Sequence, residues 1–203
     1  MATISTSEQV RRHIRASKAP VFTTSDVLNG TPGASRELVD QVISRMVRAG
    51  ELQRISRGLF SRPKAHPELG PLPPHTEDIA AAVERSIGMP VIPSGALALN
   101  MLHLSEQVPA QPEFITAGPA RTISVGKRRI HLKHAPVRRF RSKTYTLQLI
   151  VEALKAVGRQ NVSDQTVIAI RNAIAHNDRA TLSKHIGDAP VWMQPHLRRI
   201  ATE

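Results

Sequence analysis

Apolar positions in the first fifty residues recur at helical spacing and are punctuated by residues that stop helices. Val10 and Ile14, four apart, give one face to a helix that Ser5 or Ser7 would cap and that runs to about Ala16; Pro20 ends the stretch. Val21-Phe22 is a short apolar segment, after which Thr24 or Ser25 caps a brief second helix, SDVLN, closed by Gly30. Beyond a Thr-Pro-Gly turn, Ser35 starts the most regular helix of the chain, SRELVDQVISRMVRAG. Its apolar positions Leu38, Val39, Val42, Ile43 and Met46 form one stripe, and Gly50 is a natural stop. Two short strands, Glu51–Ile55 and Leu59–Ser61, then flank the turn Ser56-Arg57-Gly58, where glycine supplies the permissive turn conformation.

The pattern breaks at SRPKAHPELGPLPPHT, which has five prolines in 16 residues. Proline lacks a backbone donor and pushes its predecessor out of the helical region, so a long helix or a central strand is excluded here. The segment 63–76 reads as a linker between a domain on 1–62 and a larger one on 77–203. In the second domain, HTEDIAAAVERSIG is a helix capped at Thr76, with Ile79, Ala80, Val83 and Ile87 on one face. MPVIPSG is a strand that turns at Pro93-Ser94-Gly95 into the helix ALALNMLHL, and EFITAG is another strand. RTISVGKRRIHLKHA alternates and turns at Gly126-Lys127, the mark of a basic hairpin. TLQLIVEALKAVG, SDQTVIAIRNAIAHN, DRATLSKHI and a last segment after Pro190 are helical. The predicted class is α+β.

Three short helices with a tight turn, followed by a hairpin, form the layout of a winged helix-turn-helix. In it the third helix enters the DNA major groove and the hairpin lies against the adjoining backbone or minor groove. The polar stripe of helix 35–49 carries Ser35, Arg36, Asp40, Gln41, Ser44 and Arg45, donor and acceptor types that read base edges or clamp phosphates. The hairpin adds Arg54 and Arg57, with Arg48 and Arg62 on its flanks. An arginine's planar fork grips a guanine edge or a phosphate with two bonds. Any exposed helix carries polar residues; the arginine-bearing hairpin directly after this one favours DNA.

Charge points the same way. The formal net charge is +12 and is unevenly spread: residues 1–64 hold eleven Lys/Arg against five Asp/Glu, and residues 121–143 hold nine with no acid. Such concentration favours a polyanionic partner. In the second run Arg121, Lys127, Arg128, Arg129, Lys133, Arg138 and Arg139 either extend a DNA contact, or meet an acidic protein, a tRNA or a nucleotide, or form a basic surface with no dedicated partner. Aromatic residues, at 3%, leave little for stacking on unpaired bases. The absence of cysteine excludes disulfides, thiolate nucleophiles and Cys-ligated zinc. No apolar run approaches the roughly 20 residues that span a bilayer, and the N-terminus lacks a signal-peptide core, so a soluble, cytoplasmic protein with no membrane partner is expected.

Candidates for catalysis or metal binding are few. His131 and His134 in HLKH sit three apart on a strand and point to opposite faces, so they would not converge on a metal. Ser94 lacks the flanking glycines of a hydrolase elbow, since Ile92 and Ala96 occupy those positions. RNAIAH, Arg171 to His176, resembles the Arg-Asn-x-x-x-His element of HEPN-type ribonucleases, where the arginine and histidine act on a scissile phosphate. That resemblance supplies the alternative function, an RNA-cleaving or RNA-binding protein using Arg171 and His176. Against it, the same residues come together easily on an exposed helix turn. Phosphate-binding glycine loops, His-Glu-x-x-His and nuclease-type paired carboxylates are missing. The expectation is therefore a binding protein, not an enzyme, with no cofactor and no metal.

Three stretches resemble one known family. SRELVDQVISRMVRAGELQRISRGLFSRP, IPSGALALNMLHLSEQVPAQPEFITAGPARTISVG and DAPVWM, spread over about residues 35–195, are similar to the AbiEi-like antitoxins of bacterial type IV (abortive infection) toxin–antitoxin systems. The resemblance implies an N-terminal winged helix that represses its own operon and a C-terminal antitoxin domain. It further implies a nucleotidyltransferase toxin encoded beside the antitoxin, and leaves open whether the toxin is touched directly. It makes helix 35–49 the recognition element, 51–61 the wing, and 92–126 the body of an α+β antitoxin-type domain on 77–203. One recognition helix per chain makes a homodimer on palindromic operator DNA the default arrangement.

Overall fold

Ser5 takes the N-cap of the first helix, α1 (Thr6–Ala16), its hydroxyl accepting the amide of Glu8. The structure, a computed structural model, describes residues 5–68, 70–140 and 144–202. The positions 141–143 at the end of the second basic run lie outside the described residues. The fold is mixed α+β and divides into two units, one reaching Met89 and including Ile123–Arg128, the other comprising Pro90–Thr122 and the chain from Arg129 onward. Among the described residues no helix is long and apolar enough to cross a membrane.

In the first unit, α1 leads to β1 (Val21–Thr23), α2 (Thr24–Gly30), α3 (Arg36–Arg48), β2 (Gln53–Ser56) and β3 (Leu59–Ser61). Val21-Phe22, expected only as an apolar segment, is a strand: β1 pairs antiparallel with β3, giving a three-stranded sheet of order β1-β3-β2. The cap of α2 is Thr23, one residue earlier than expected. It forms a capping box in which the Thr23 hydroxyl accepts the Asp26 amide while the Asp26 carboxylate accepts the Thr23 amide. Ser35 caps α3 as predicted, accepting from the amide of Leu38. Val39, Val42, Ile43 and Met46 are buried with Val10, Ile14, Phe22, Val27, Leu52 and Phe60, while Leu38 stays at the margin of this core. Gly30 ends α2 for a different reason from the one its composition suggests. A Cβ there would stand 1.9 Å from the His13 ring, so glycine serves the approach of α1 to α2.

The chain leaves α3 through Gly50 at φ +73°, with the amides of Glu51 and Leu52 both donating to the Met46 carbonyl. That wrap occupies the first two residues expected in the strand, which is why β2 begins at Gln53. Glu51 is held by Arg15 of α1 at 2.8 Å, and this hydrogen bond keeps its carboxyl below the usual carboxylate range. The β2–β3 register slips between Arg54 and Ser56, leaving Arg57 and Gly58 (φ +75°) as the turn.

The proline-rich stretch expected as a linker instead carries an antiparallel ribbon, β4 (Lys64–His66) with β5 (Gly70–Leu72). Strands of three residues with proline at the ribbon's edge satisfy the restriction that rules out longer ones. The helix that follows, α4 (Thr76–Ile87), belongs with the first unit, so the division falls at Met89 and not before the helix. Arg85 fixes it there, bonding the Asp26 carboxylate at 3.1 Å and the Val21 carbonyl at 2.9 Å. His75, not Thr76, is its N-cap residue.

The second unit opens with β6 (Val91–Ser94), α5 (Gly95–Met101) and β7 (Glu113–Thr116). The predicted basic hairpin is present as β8 (Arg121–Val125) and β9 (Arg128–His134), turning at Gly126 with φ +58°. The four strands lie in the order β6-β7-β9-β8, with β7 antiparallel to β6 and parallel to β9. The helices α6 (Tyr145–Val157), α7 (Asp164–Ala173), α8 (His176–His185) and α9 (Gln194–Thr202) form the rest. Their core gathers Leu147, Ile150, Leu154, Ile170, Leu182, Leu197 and Ile200.

Candidate nucleic-acid interface

The burial of Val39, Val42, Ile43 and Met46 fixes which side of α3 faces outward. That side carries Arg36, Asp40, Gln41, Arg45 and Arg48 exposed, with Ser44 half-buried. Asp40, Gln41, Ser44, Arg45 and Arg48 border one shallow open depression. Arg48 was outside the predicted stripe. Its i+4 spacing from Ser44 and i+3 from Arg45 was the available signal, hidden because it lies in the last turn of the helix.

These residues are not equally free. Asp40 accepts the Thr24 hydroxyl at 3.3 Å and pairs with Arg36 at 3.8 Å, so it ties α2 to α3 and restrains Arg36. Both members of the Arg36–Asp40 pair are more than half exposed, so the attraction is weak and water competes with it. Arg45 donates its Nε to the Gln41 carbonyl at 3.4 Å, which directs the outer edge of its fork away from the helix axis. Ser35 uses its hydroxyl on the Leu38 amide and is committed to capping. Gln41 and Arg48 have no side-chain partner among the described residues.

The hairpin arginines divide in three ways. Arg54 lies over the Phe60 ring, its guanidinium carbon 5.5 Å from the centroid, and Phe60 in turn stacks on Phe22 at 6.2 Å. Arg57, at the turn, is exposed and has no partner among the described residues. Arg62 is turned inward: it donates to the carbonyls of Arg15 at 2.9 Å, of Ser17, and of Ala19 at 3.2 Å, so it closes the C-terminal end of α1.

The second basic run is equally heterogeneous. Lys133 pairs with Glu113 at 2.7 Å, Arg139 with the buried Glu152 at 2.7 Å, and Arg128 donates to the Thr76 hydroxyl at 3.2 Å. Partial desolvation lowers the pKa of Arg121. Lys127, Arg129 and Arg138 are exposed without partners among the described residues. His131 bridges the Thr122 hydroxyl at 3.1 Å and Gln111 at 3.0 Å, while His134 reaches the Gly118 carbonyl at 3.0 Å. Among the described residues no three His, Cys, Asp or Glu side chains gather as a metal site would need.

Arg171 and His176, expected on a single helix, are separated. Ile174 leaves the helical conformation at φ −99°, ψ 145°, so Arg171 sits in the last turn of α7 and His176 is the first residue of α8. A buried Ile174 on an extended backbone explains the break, since its side chain joins the core there. The Arg171 carbonyl is taken by Arg179 at 2.9 Å.

Among the described residues, exposed donors without partners thus stand on the outer face of α3, at the tip of the β2–β3 hairpin, and at Lys127, Arg129 and Arg138 of the second basic run. Comparison with curated proteins gives no match. The sequence model of DUF6088, a family of unknown function, matches residues 8–182, which run from within α1 through most of α8; the chain belongs to that family.

Proposed function

We propose that this protein is an antitoxin-like transcriptional regulator that binds operator DNA through a winged helix-turn-helix and counteracts a nucleotidyltransferase toxin encoded in the same operon, by binding and without catalysis of its own. The observation that carries the DNA reading is the outer face of α3, where Gln41, Arg45 and Arg48 stand exposed with Arg57 projecting from the hairpin that follows. Supporting it is connectivity: helix, strand, helix, helix and hairpin, with the early strand paired to the second strand of the hairpin. That order is what a winged helix requires to hold its hairpin beside the recognition helix. The toxin part rests on the likeness of three sequence stretches to AbiEi-like antitoxins, and a cytoplasmic location follows from a DNA partner.

The mechanism is phosphate neutralisation by Lys and Arg, with base choice made from α3. Two copies of the chain on an inverted repeat upstream of the gene give each half-site one recognition helix. Gel shifts with that upstream duplex are expected to show log affinity falling linearly with log salt, by about 0.9 for each phosphate neutralised. Equal binding to an unrelated duplex, or tighter binding to structured RNA, defeats the operator reading. Co-expression supplies the separate check: growth arrested by the neighbouring nucleotidyltransferase recovers when this chain is present. Persistent arrest removes the antitoxin role and leaves the DNA role standing.

A further inference from the structure

The second unit contains a cavity of about 320 Å³, to which the second basic run contributes Arg138 and Arg139. Its apolar wall is made by Ile115, Leu147, Val151, Ala189 and Val191. Leu147 is fully buried, and Ile115 and Ala189 are nearly so, whereas Val191 stands 81% exposed at the mouth. The polar side includes Arg138, Arg139, Gln148, Glu152 and Lys155. The volume lies at the lower end of the range for small-molecule sites, which begins near 300 Å³.

The charge at this wall is organised. Glu152, whose side chain is only 8% exposed, accepts from Arg139 and from Lys155 on the same oxygen, each at 2.7 Å. A carboxylate buried beside apolar groups is costly unless it is paired, and here two cations pair with one anion. Only one terminal nitrogen of Arg139 is used in this bridge, and Lys155 uses one of its three donors. Both cations are about one third exposed. Arg138, beside them, has no partner among the described residues. Asp188, which also lines the cavity, is bonded to His185 at 3.2 Å. The cavity therefore offers two cations held on Glu152 and a third, Arg138, without a partner among the described residues, against two carboxylates, next to an apolar wall.

We infer that this cavity binds a small monocarboxylate with an apolar body, its carboxylate on Arg138 and the spare donors of Arg139 and Lys155, its hydrocarbon against Ile115, Leu147 and Val151. Charge and hydrocarbon are both needed. The buried Glu152 acts as a clamp that holds two cations at the apolar wall, where free lysine and arginine side chains would swing into water.

The test is isothermal titration of the full-length chain with hexanoate, hexanamide and hexylamine, which share a hydrocarbon and differ in charge. Saturable binding of one hexanoate per chain is expected, with hexanamide about tenfold weaker or more, as loss of charge-assisted hydrogen bonds implies. Arg138→Ala, a change at an exposed side chain, should weaken hexanoate about tenfold and leave the hexanamide response unchanged. Val151→Trp, which narrows the cavity, should remove hexanoate binding, and circular dichroism on that variant confirms the fold. Hexanamide or hexylamine binding as tightly as hexanoate overturns the inference. So does the absence of saturable hexanoate binding, or an Arg138→Ala variant that binds as the parent does.

Discussion

If α3 is the recognition helix proposed above, changing Arg45 and Arg48 together to alanine is expected to lower affinity for the operator duplex about 100-fold, equivalent to about 3 kcal/mol. Both stand on the outer face of α3, and Arg48 is free of any partner among the described residues. Arg45 has one nitrogen on the Gln41 carbonyl and keeps the rest of its fork available. Each bidentate arginine contact to a base edge contributes about 1–3 kcal/mol of discrimination, so losing two reaches the stated effect without invoking other residues. Neither side chain is part of the core, but both are cations in the last turn of α3, so the variant is expected to lose no more than about 1–2 kcal/mol of stability. The comparison with Arg57→Ala is diagnostic. If Arg57 contacts phosphate, its loss is expected to weaken every duplex by about the same factor and to flatten the salt dependence by about one phosphate's worth. Arg36→Ala, at the first turn of the helix, is instead expected to relax base preference. Operator binding by the double variant within threefold of the parent would remove α3 from the interface.

Arg62→Ala destabilises the first unit by about 2–3 kcal/mol. Its guanidinium closes three carbonyls that follow or end α1, those of Arg15, Ser17 and Ala19. Hydrogen bonds with a charged donor contribute about 1.5–3 kcal/mol each when protected; water partly replaces them here because the site is half-open. A cation at a helix C-terminus adds a favourable interaction with the helix dipole. Arg62→Lys recovers only part of the loss, since an ammonium cannot span three carbonyls as a planar fork does. The only tryptophan and tyrosine of the chain, Trp192 and Tyr145, both lie in the second unit, so fluorescence would miss this change. Hydrogen exchange at the amides of α1 and α3 reads it directly. Protection factors equal to the parent's would show that Arg62 is an ordinary surface arginine.

The two predictions treat neighbouring arginines oppositely, and the reason separates what is local from what is not. Spacing of apolar residues determined α1 and α3; Ser35 was legible as a cap, and Ser5 as one of two candidates with Ser7, because an N-cap bond reaches only three residues along the chain. Gly58 and Gly126 marked their turns for a similar reason: the required backbone conformation belongs to the residue itself. The α+β class and the basic hairpin at 121–134 were readable from alternation and turn chemistry. The short ribbon in the proline-rich stretch was not, because pairing of three-residue strands leaves almost no periodic trace. The helix break at Ile174 was hidden too, since only the core of the second unit decides that this isoleucine turns inward.

Charge was legible as a quantity and illegible as a set of partners. Sequence by itself determined that this chain concentrates arginine and lysine around its hairpins, and that one helix presents polar groups opposite its apolar stripe. The tertiary structure alone decided that Arg57 and Arg48 have no partner among the described residues, that Arg54 lies on Phe60, that Arg62 reaches back more than 40 residues to α1, and that Arg139 joins Lys155 on a buried glutamate. The physical reason is range. Helical and turn preferences are settled among residues a few positions apart, whereas a guanidinium's partner is whichever carbonyl, ring or carboxylate the packed core brings within about 3 Å of it.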